Sequence, residues 1–240
     1  MLKKIYLFII FFLALVVSCS ADVLYDHKYL QSLNGGFIDT VSVYTAQEGL
    51  PLKIFISLLE KRAEDMSSYD LKIINKIRAK QLKPTSDVLM QKVISVSDMD
   101  NYISGKYKAP KGFVSICADI KQYKTVADFY YGLRLDYSGT RFKPEDNSCG
   151  VIRFKAINIT SAFIPKSPFN GGEIKDPYPF GGTGFTTGCN GRFGTPEWVL
   201  PDFAVMDDGA QIFEVFKDGS EKLRAVYRVE ADRFVESEKL

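Results

Sequence analysis

The first eighteen residues are set apart from any fold this chain can adopt. Lys3 and Lys4 give a positive start, Ile5 to Val17 is an apolar run of thirteen residues, and small Ser18 closes it. A charged start, a short apolar centre and a small-residue end form the pattern of an export signal that is removed from the mature protein. A bilayer-spanning helix takes roughly 20 apolar residues, so the run is short for a permanent span. The folding problem therefore concerns the 222 residues that follow.

Val16-Val17-Ser18-Cys19 resembles the lipobox of bacterial lipoproteins, where the cut falls just before a cysteine that becomes lipid-modified. The resemblance implies that Cys19 is lipidated and that the protein is exported and held to the cell envelope. Its first partner is then a membrane, engaged through an N-terminal lipid. Multiple acyl chains hold firmly where a single one does not. Ser20 follows the cysteine. An Asp there often marks inner-membrane retention in such proteins, so the resemblance points to the outer membrane where the cell has one. The alternatives are an ordinary signal cut near Ala21 and an uncleaved anchor.

Without Lys3 and Lys4 the mature chain carries 29 basic and 29 acidic residues. Non-specific nucleic-acid binding rests on clustered Lys and Arg neutralising phosphates, and this balance argues against it. Hydrophobic content of 46% and charged content of 25% describe an ordinary globular protein with enough chain for a real core. Besides Cys19 there are Cys117, Cys149 and Cys189, an odd number that allows one disulfide at most. A Cys149–Cys189 bridge and three separate thiols are both open. No CxxC pair exists, so no structural zinc site is expected. The single histidine, His27, falls in the stretch after the anchor, which argues against triads and multi-histidine centres.

Residues 19–36 read as a polar, lipidated tether, and residues 37–240 as one domain with a possible subdivision near 84–90. Apolar spacing predicts a helix over 49–66 and another over 69–82, ended by Pro84. The second holds five basic residues and no acidic one between Leu71 and Lys83. It reads as a solvated face, or as one touching anionic headgroups. Strands are predicted at Gln91–Val96, Gly112–Cys117 and Cys149–Ile159, with short helices beginning near Ser97 and Thr125. Asp218-Gly219 predicts a closing hairpin between Ala210–Phe216 and Leu223–Val229. The sum is an α+β fold: a helical N-terminal third followed by a β-rich, largely antiparallel body.

The best candidate site is glycine-rich and aromatic. Residues 171–194 hold eight of the eighteen glycines, with Tyr178, Phe180, Phe185, Phe193 and Trp198 among and beside them. Glycines let a backbone approach a ligand closely, and aromatic faces stack on bases, nicotinamide or sugars. The stretch has neither GxxxxGK[ST] nor GxGxxG. A long structured β-connection with core aromatics is the plainer reading. Asp207-Asp208 beside Gly209 reads as a calcium ligand pair or as ordinary turn chemistry.

Gly191-Arg192-Phe193-Gly194-Thr195-Pro196-Glu197-Trp198-Val199-Leu200-Pro201, followed by a strand at Gln211–Phe216, resembles the C-terminal part of NAD-consuming ADP-ribosyltransferase toxin domains. The resemblance implies that Glu197 is the catalytic glutamate, stabilising an oxocarbenium-like centre as nicotinamide leaves. Thr186 and Thr187 would stand for the hydroxyl-bearing strand, and Gly112-Phe113-Val114-Ser115 matches that strand equally. Arg134 or Arg192 would grip the NAD phosphates, with Phe185 and Trp198 as ligand-stacking aromatics. NAD enters as substrate, and no cofactor is called for.

Two function classes follow. The favoured one is a binding or structural module of the envelope, recognising a protein, glycan or nucleotide. The other is an enzyme consuming NAD through Glu197. The enzyme requires Glu197, a threonine of 186–187 and an arginine to converge in one cleft beside an aromatic.

Overall fold

The computed structural model describes residues 36–81, 83–176, 180–186 and 194–239. Cys19, His27, Thr187, Cys189 and Arg192, and with them the tether and any Cys149–Cys189 bridge, lie outside these. Gly35–Leu240 forms one compact unit by its internal contacts. Among the described residues no helix is long and apolar enough to cross a membrane.

Three helices come first: α1 (Gly36–Gln47), α2 (Leu52–Leu59) and α3 (Ser68–Lys80). Phe55, Leu58 and Leu59 bury the inner face of α2, which is shorter than the spacing over 49–66 predicts. A 3₁₀ turn, Ala63–Asp65, follows it. Helix α3 starts with a capping box. Ser67 accepts from the Asp70 N–H, and the Asp70 carboxylate accepts from the Ser67 N–H. Each satisfies a donor that the first helical turn leaves open.

The body is a seven-stranded sheet: β1 (Met90–Ile94), β2 (Gly112–Ile116), β3 (Ser148–Phe154), β4 (Trp198–Leu200), β5 (Gln211–Phe216), β6 (Glu221–Arg228) and β7 (Arg233–Glu236). The spatial order is β4-β2-β1-β3-β5-β6-β7, and every pairing is antiparallel. The architecture is α+β, helices first and an antiparallel sheet after. Helix α4 (Val96–Ile103) follows the Ser95 cap, and α5 (Val126–Gly132) follows a second capping box at Thr125.

The two sheet faces bury different clusters. Met90, Ile152, Phe154, Trp198, Leu200 and Ile212 lie in one core. Val151 and Val215 pack on the other face against Val126, Phe129 and Phe142. Cys149 joins this second cluster, and burial pushes its thiol up to about 12.

Strand β2 is shared unequally. Its end pairs with β1 through two positions only, Met90↔Ile116 and Gln91↔Ser115. Its start pairs with β4 instead, through Gly112↔Leu200, Phe113↔Val199 and Val114↔Trp198. Beyond Gln91 the β1–β2 ladder opens, and the Lys92 ammonium spans the gap to donate to the Phe113 carbonyl at 3.0 Å.

Candidate functional site

A cavity of about 290 Å³ lies where the ladder opens. Both strands of the opening line it, with Gln91, Lys92 and Val93 from β1 and Phe113, Val114 and Ser115 from β2. The segment after α5 contributes Arg134 and Tyr137, and the glycine-rich region contributes Phe180, Thr186 and Glu197.

Glu197 reaches the cavity because of strand alternation. Its neighbour Trp198 pairs with Val114 and is buried in the sheet core. The preceding residue therefore projects to the opposite face, beside the position of Ser115. Ser115 in turn pairs with Gln91, and Gln91 with Arg153, so a polar row crosses the sheet. Arg153 donates to Gln91 Oε1 at 3.2 Å and is clamped by both oxygens of Glu221 at 2.6 and 2.8 Å. Among the described residues neither the Glu197 carboxylate nor the Ser115 hydroxyl has a hydrogen-bond partner.

Desolvation is the largest influence on Glu197 and pushes its carboxyl up to about 8. Arg78 pulls it down, Asp176 pushes it up, and Arg134 pulls it down more weakly. A carboxyl so displaced, in a cleft and free of hydrogen bonds, marks a functional-site candidate on physical grounds. Lys92 is depressed to about 8, again by desolvation, with the Asp98 charge opposing.

The required convergence of Glu197, a threonine and an arginine is met by Glu197, Thr186 and Arg134. Two of the three are already engaged. The Thr186 hydroxyl donates to the Gly132 carbonyl at 2.8 Å and accepts from the Thr195 N–H at 2.8 Å. These bonds tie Thr186 to Gly132 and to Thr195 at the edge of the cavity. Arg134 has a left-handed backbone (φ 53°) and forks onto both oxygens of Asp136 at 2.9 and 3.2 Å. Ser115 also lines the cavity, and its hydroxyl has no hydrogen-bond partner among the described residues.

Phe185 and Trp198, expected as ligand-stacking aromatics, do not line this cavity. Both are buried away from the cavity wall, at 0% and 3% exposure. They sandwich the Arg78 guanidinium, with ring centroids 5.6 and 4.3 Å away. The aromatics that do line the cavity are Phe113, Tyr137, Phe142 and Phe180.

Arg78 is the residue that sequence reasoning missed. It sits on α3 among the basic residues expected to be solvated or at headgroups, yet it is fully buried. Its Nε donates to the Gly184 carbonyl at 2.9 Å, its Nη2 to the Glu197 carbonyl at 2.7 Å, and its Nη1 to Gln81 at 3.0 Å. Gly184 must be glycine here. Its φ is +82°, and a Cβ would lie 2.4 Å from Ile164 and 3.2 Å from Arg78 Nε. The only sequence signal was an arginine on the same helical stripe as Ile74 and Ile77, both buried.

No protein-family model, characterised protein or solved structure matches the chain.

The calcium reading of Asp207-Asp208 meets other uses of these groups. Asp208 accepts from Arg228 at 3.2 Å and from the Val229 N–H at 3.0 Å. Asp119 lies near the same arginine that holds Glu197. Desolvation pushes its carboxyl up to about 6, and the Arg78 charge opposes.

Proposed function

We propose that the protein is an envelope-anchored enzyme that cleaves the N-glycosidic bond of NAD or a related pyridine nucleotide, with Glu197 as the catalytic carboxylate. The observation that carries this reading is the Glu197 carboxylate itself, desolvated, without a hydrogen bond among the described residues and beside the Ser115 hydroxyl in an aromatic-walled cleft.

The chemistry follows from charge. Nicotinamide departs with the electron pair of the carbon–nitrogen bond, leaving positive charge on the ribose carbon. A fixed carboxylate stabilises that charge most strongly where water is excluded. Free Glu197 keeps its proton to about pH 8. A cationic pyridinium ring brought into the cleft favours the ionised form, so substrate binding itself releases the proton. Phe113 or Tyr137 offers a face for the ring, and the Ser115 hydroxyl a partner for a ribose oxygen. The acceptor of the ribosyl group is water in a glycohydrolase and a macromolecular nucleophile in a transferase.

The test is nicotinamide release from NAD by wild type and by Glu197→Gln. Removing one preorganised transition-state partner costs about 10²–10³-fold in kcat, and a loss of that size is expected. The wild-type kcat/KM should rise with pH through about 8, because it reports ionisation in the free enzyme. No release above buffer by wild type removes the enzymatic reading and leaves a binding or structural module.

The anchor is proposed on the lipobox resemblance. Cys19→Ala should abolish incorporation of labelled fatty acid and free the protein from membranes. Unchanged labelling would sink the lipoprotein reading.

A further inference from the structure

We infer that a second chamber, on the other side of Phe180 from the Glu197 cleft, is the subsite for the adenylate half of a dinucleotide, resting on the proposed function for the identity of the first half. The two cavities share Asp176, Phe180 and Gly181 as a common wall, and each measures about 290 Å³. Sites for ligands of drug size run from roughly 300 to 1,000 Å³. One chamber suits a single ring with its sugar, and two adjoining ones suit a pair of nucleotides.

The lining differs from that of the first cleft in a way that fits. Phe169 presents 64% of its surface to solvent, and among the described residues its ring stacks on no other ring. An exposed, unstacked phenyl at a cavity rim offers a face to a purine. Ser167 also lines the chamber, and its Oγ is buried without a hydrogen-bond partner. A buried hydroxyl left unpaired is costly unless something arrives to satisfy it, and a ribose or phosphate oxygen would do so. Arg62 and Lys175 supply positive charge on the same wall. Arg62 pairs with Glu64 at 2.7 Å, so donor and acceptor stand together, as a ribose diol or a phosphate ester requires.

The helical part of the chain holds this wall in place. The Ala63 N–H donates to the Gly181 carbonyl at 2.8 Å, and the Ser167 N–H donates to the Gly182 carbonyl at 3.1 Å. Asn170 is buried and fixed by Asn75 at 2.6 Å, which sets the loop carrying Phe169.

The experiment compares NAD with nicotinamide mononucleotide, which lacks the adenylate half, as substrates of the full-length protein. Phe169→Ala is exposed enough to leave the fold intact. It should raise KM for NAD by about fivefold to tenfold, the loss of one stacked base, and leave the KM for nicotinamide mononucleotide unchanged. Phe169→Tyr should keep the wild-type value. Equal effects on both substrates, or none on NAD, overturn the subsite. Where neither substrate is cleaved, calorimetric titration with ADP decides the matter independently. Binding that weakens in Phe169→Ala upholds the chamber while the enzymatic reading fails, and absence of ADP binding to wild type overturns the chamber.

Discussion

Replacing Arg78 with methionine is expected to destabilise the fold by about 2–5 kcal/mol, the cost of leaving the buried Glu197 carbonyl unpaired and of taking from the Gly184 carbonyl one of its two donors, the other being the Glu197 N–H at 3.0 Å. Arg78 reaches the Gly184 and Glu197 carbonyls at 2.9 and 2.7 Å. Methionine retains part of the apolar packing between Phe185 and Trp198 but offers no donor. For a domain of this length each kcal/mol moves Tm by about 2–4 °C, so a fall of roughly 10 °C in thermal unfolding is the expected reading. Lysine keeps the charge, yet a single ammonium cannot reproduce a planar fork spanning two carbonyls and Gln81. Arg78→Lys should therefore recover only part of the loss. A Tm within 2 °C of wild type in Arg78→Met would show that the carbonyls find other partners.

The second large effect is a stability that depends on pH through Glu197. Its folded carboxyl holds a proton to about pH 8, whereas its ordinary value is 4.5. Between those values the folded state binds more protons than the unfolded one, so stability falls as pH rises across that window. Each pKa unit is worth about 1.4 kcal/mol, which sets an upper bound of roughly 4–5 kcal/mol above pH 8. Partial exposure of Glu197 to the cleft brings the expected figure nearer 2–3 kcal/mol. Glu197→Gln removes the titration. At pH 9 the variant should be more stable than wild type by that amount, and at pH 4 the two should coincide. Urea unfolding at both pH values measures the difference directly. Asp119 titrates in both proteins and cancels in the comparison. Equal stability at pH 9 would mean that Glu197 is ionised and well solvated in the free protein.

Together these two results separate what Glu197 costs from what holds it. Such a site opposes the stability of its own fold, as catalytic groups held ready for charge often do.

Local chemistry made much of the fold legible. Ser67 and Thr125 precede their helices and cap them, and Asp218-Gly219 turns the β5–β6 hairpin as its dipeptide demands. Strand β4 was not legible, because three residues carry no period, and its existence depends on Val114 and Trp198 meeting from distant parts of the sequence. The site divides in the same way. Glu197 was nominated by its surroundings in sequence. The hydroxyl opposite it turned out to be that of Ser115, because a pairing register between distant strands decides the neighbour. Phe185 and Trp198 looked like ligand-binding aromatics within a glycine-rich stretch. The direction of Trp198, toward the core and Arg78, is set by strand alternation that begins only where β4 pairs, and Phe185 is placed by an isolated bridge to Pro196. Arg78 itself was hidden by composition, since a basic helical residue is ordinarily solvated.

The bonds from Arg78 to the glycine-rich segment bear on how this protein can be divided or reused. A boundary near 84–90 would leave the sheet with its strands and its carboxylate but without the side chain on which two of its carbonyls end. The β-rich body excised alone is therefore expected to be destabilised by at least the loss of these Arg78 bonds. Any shuffling of this architecture keeps those bonds only if it carries the helices with it.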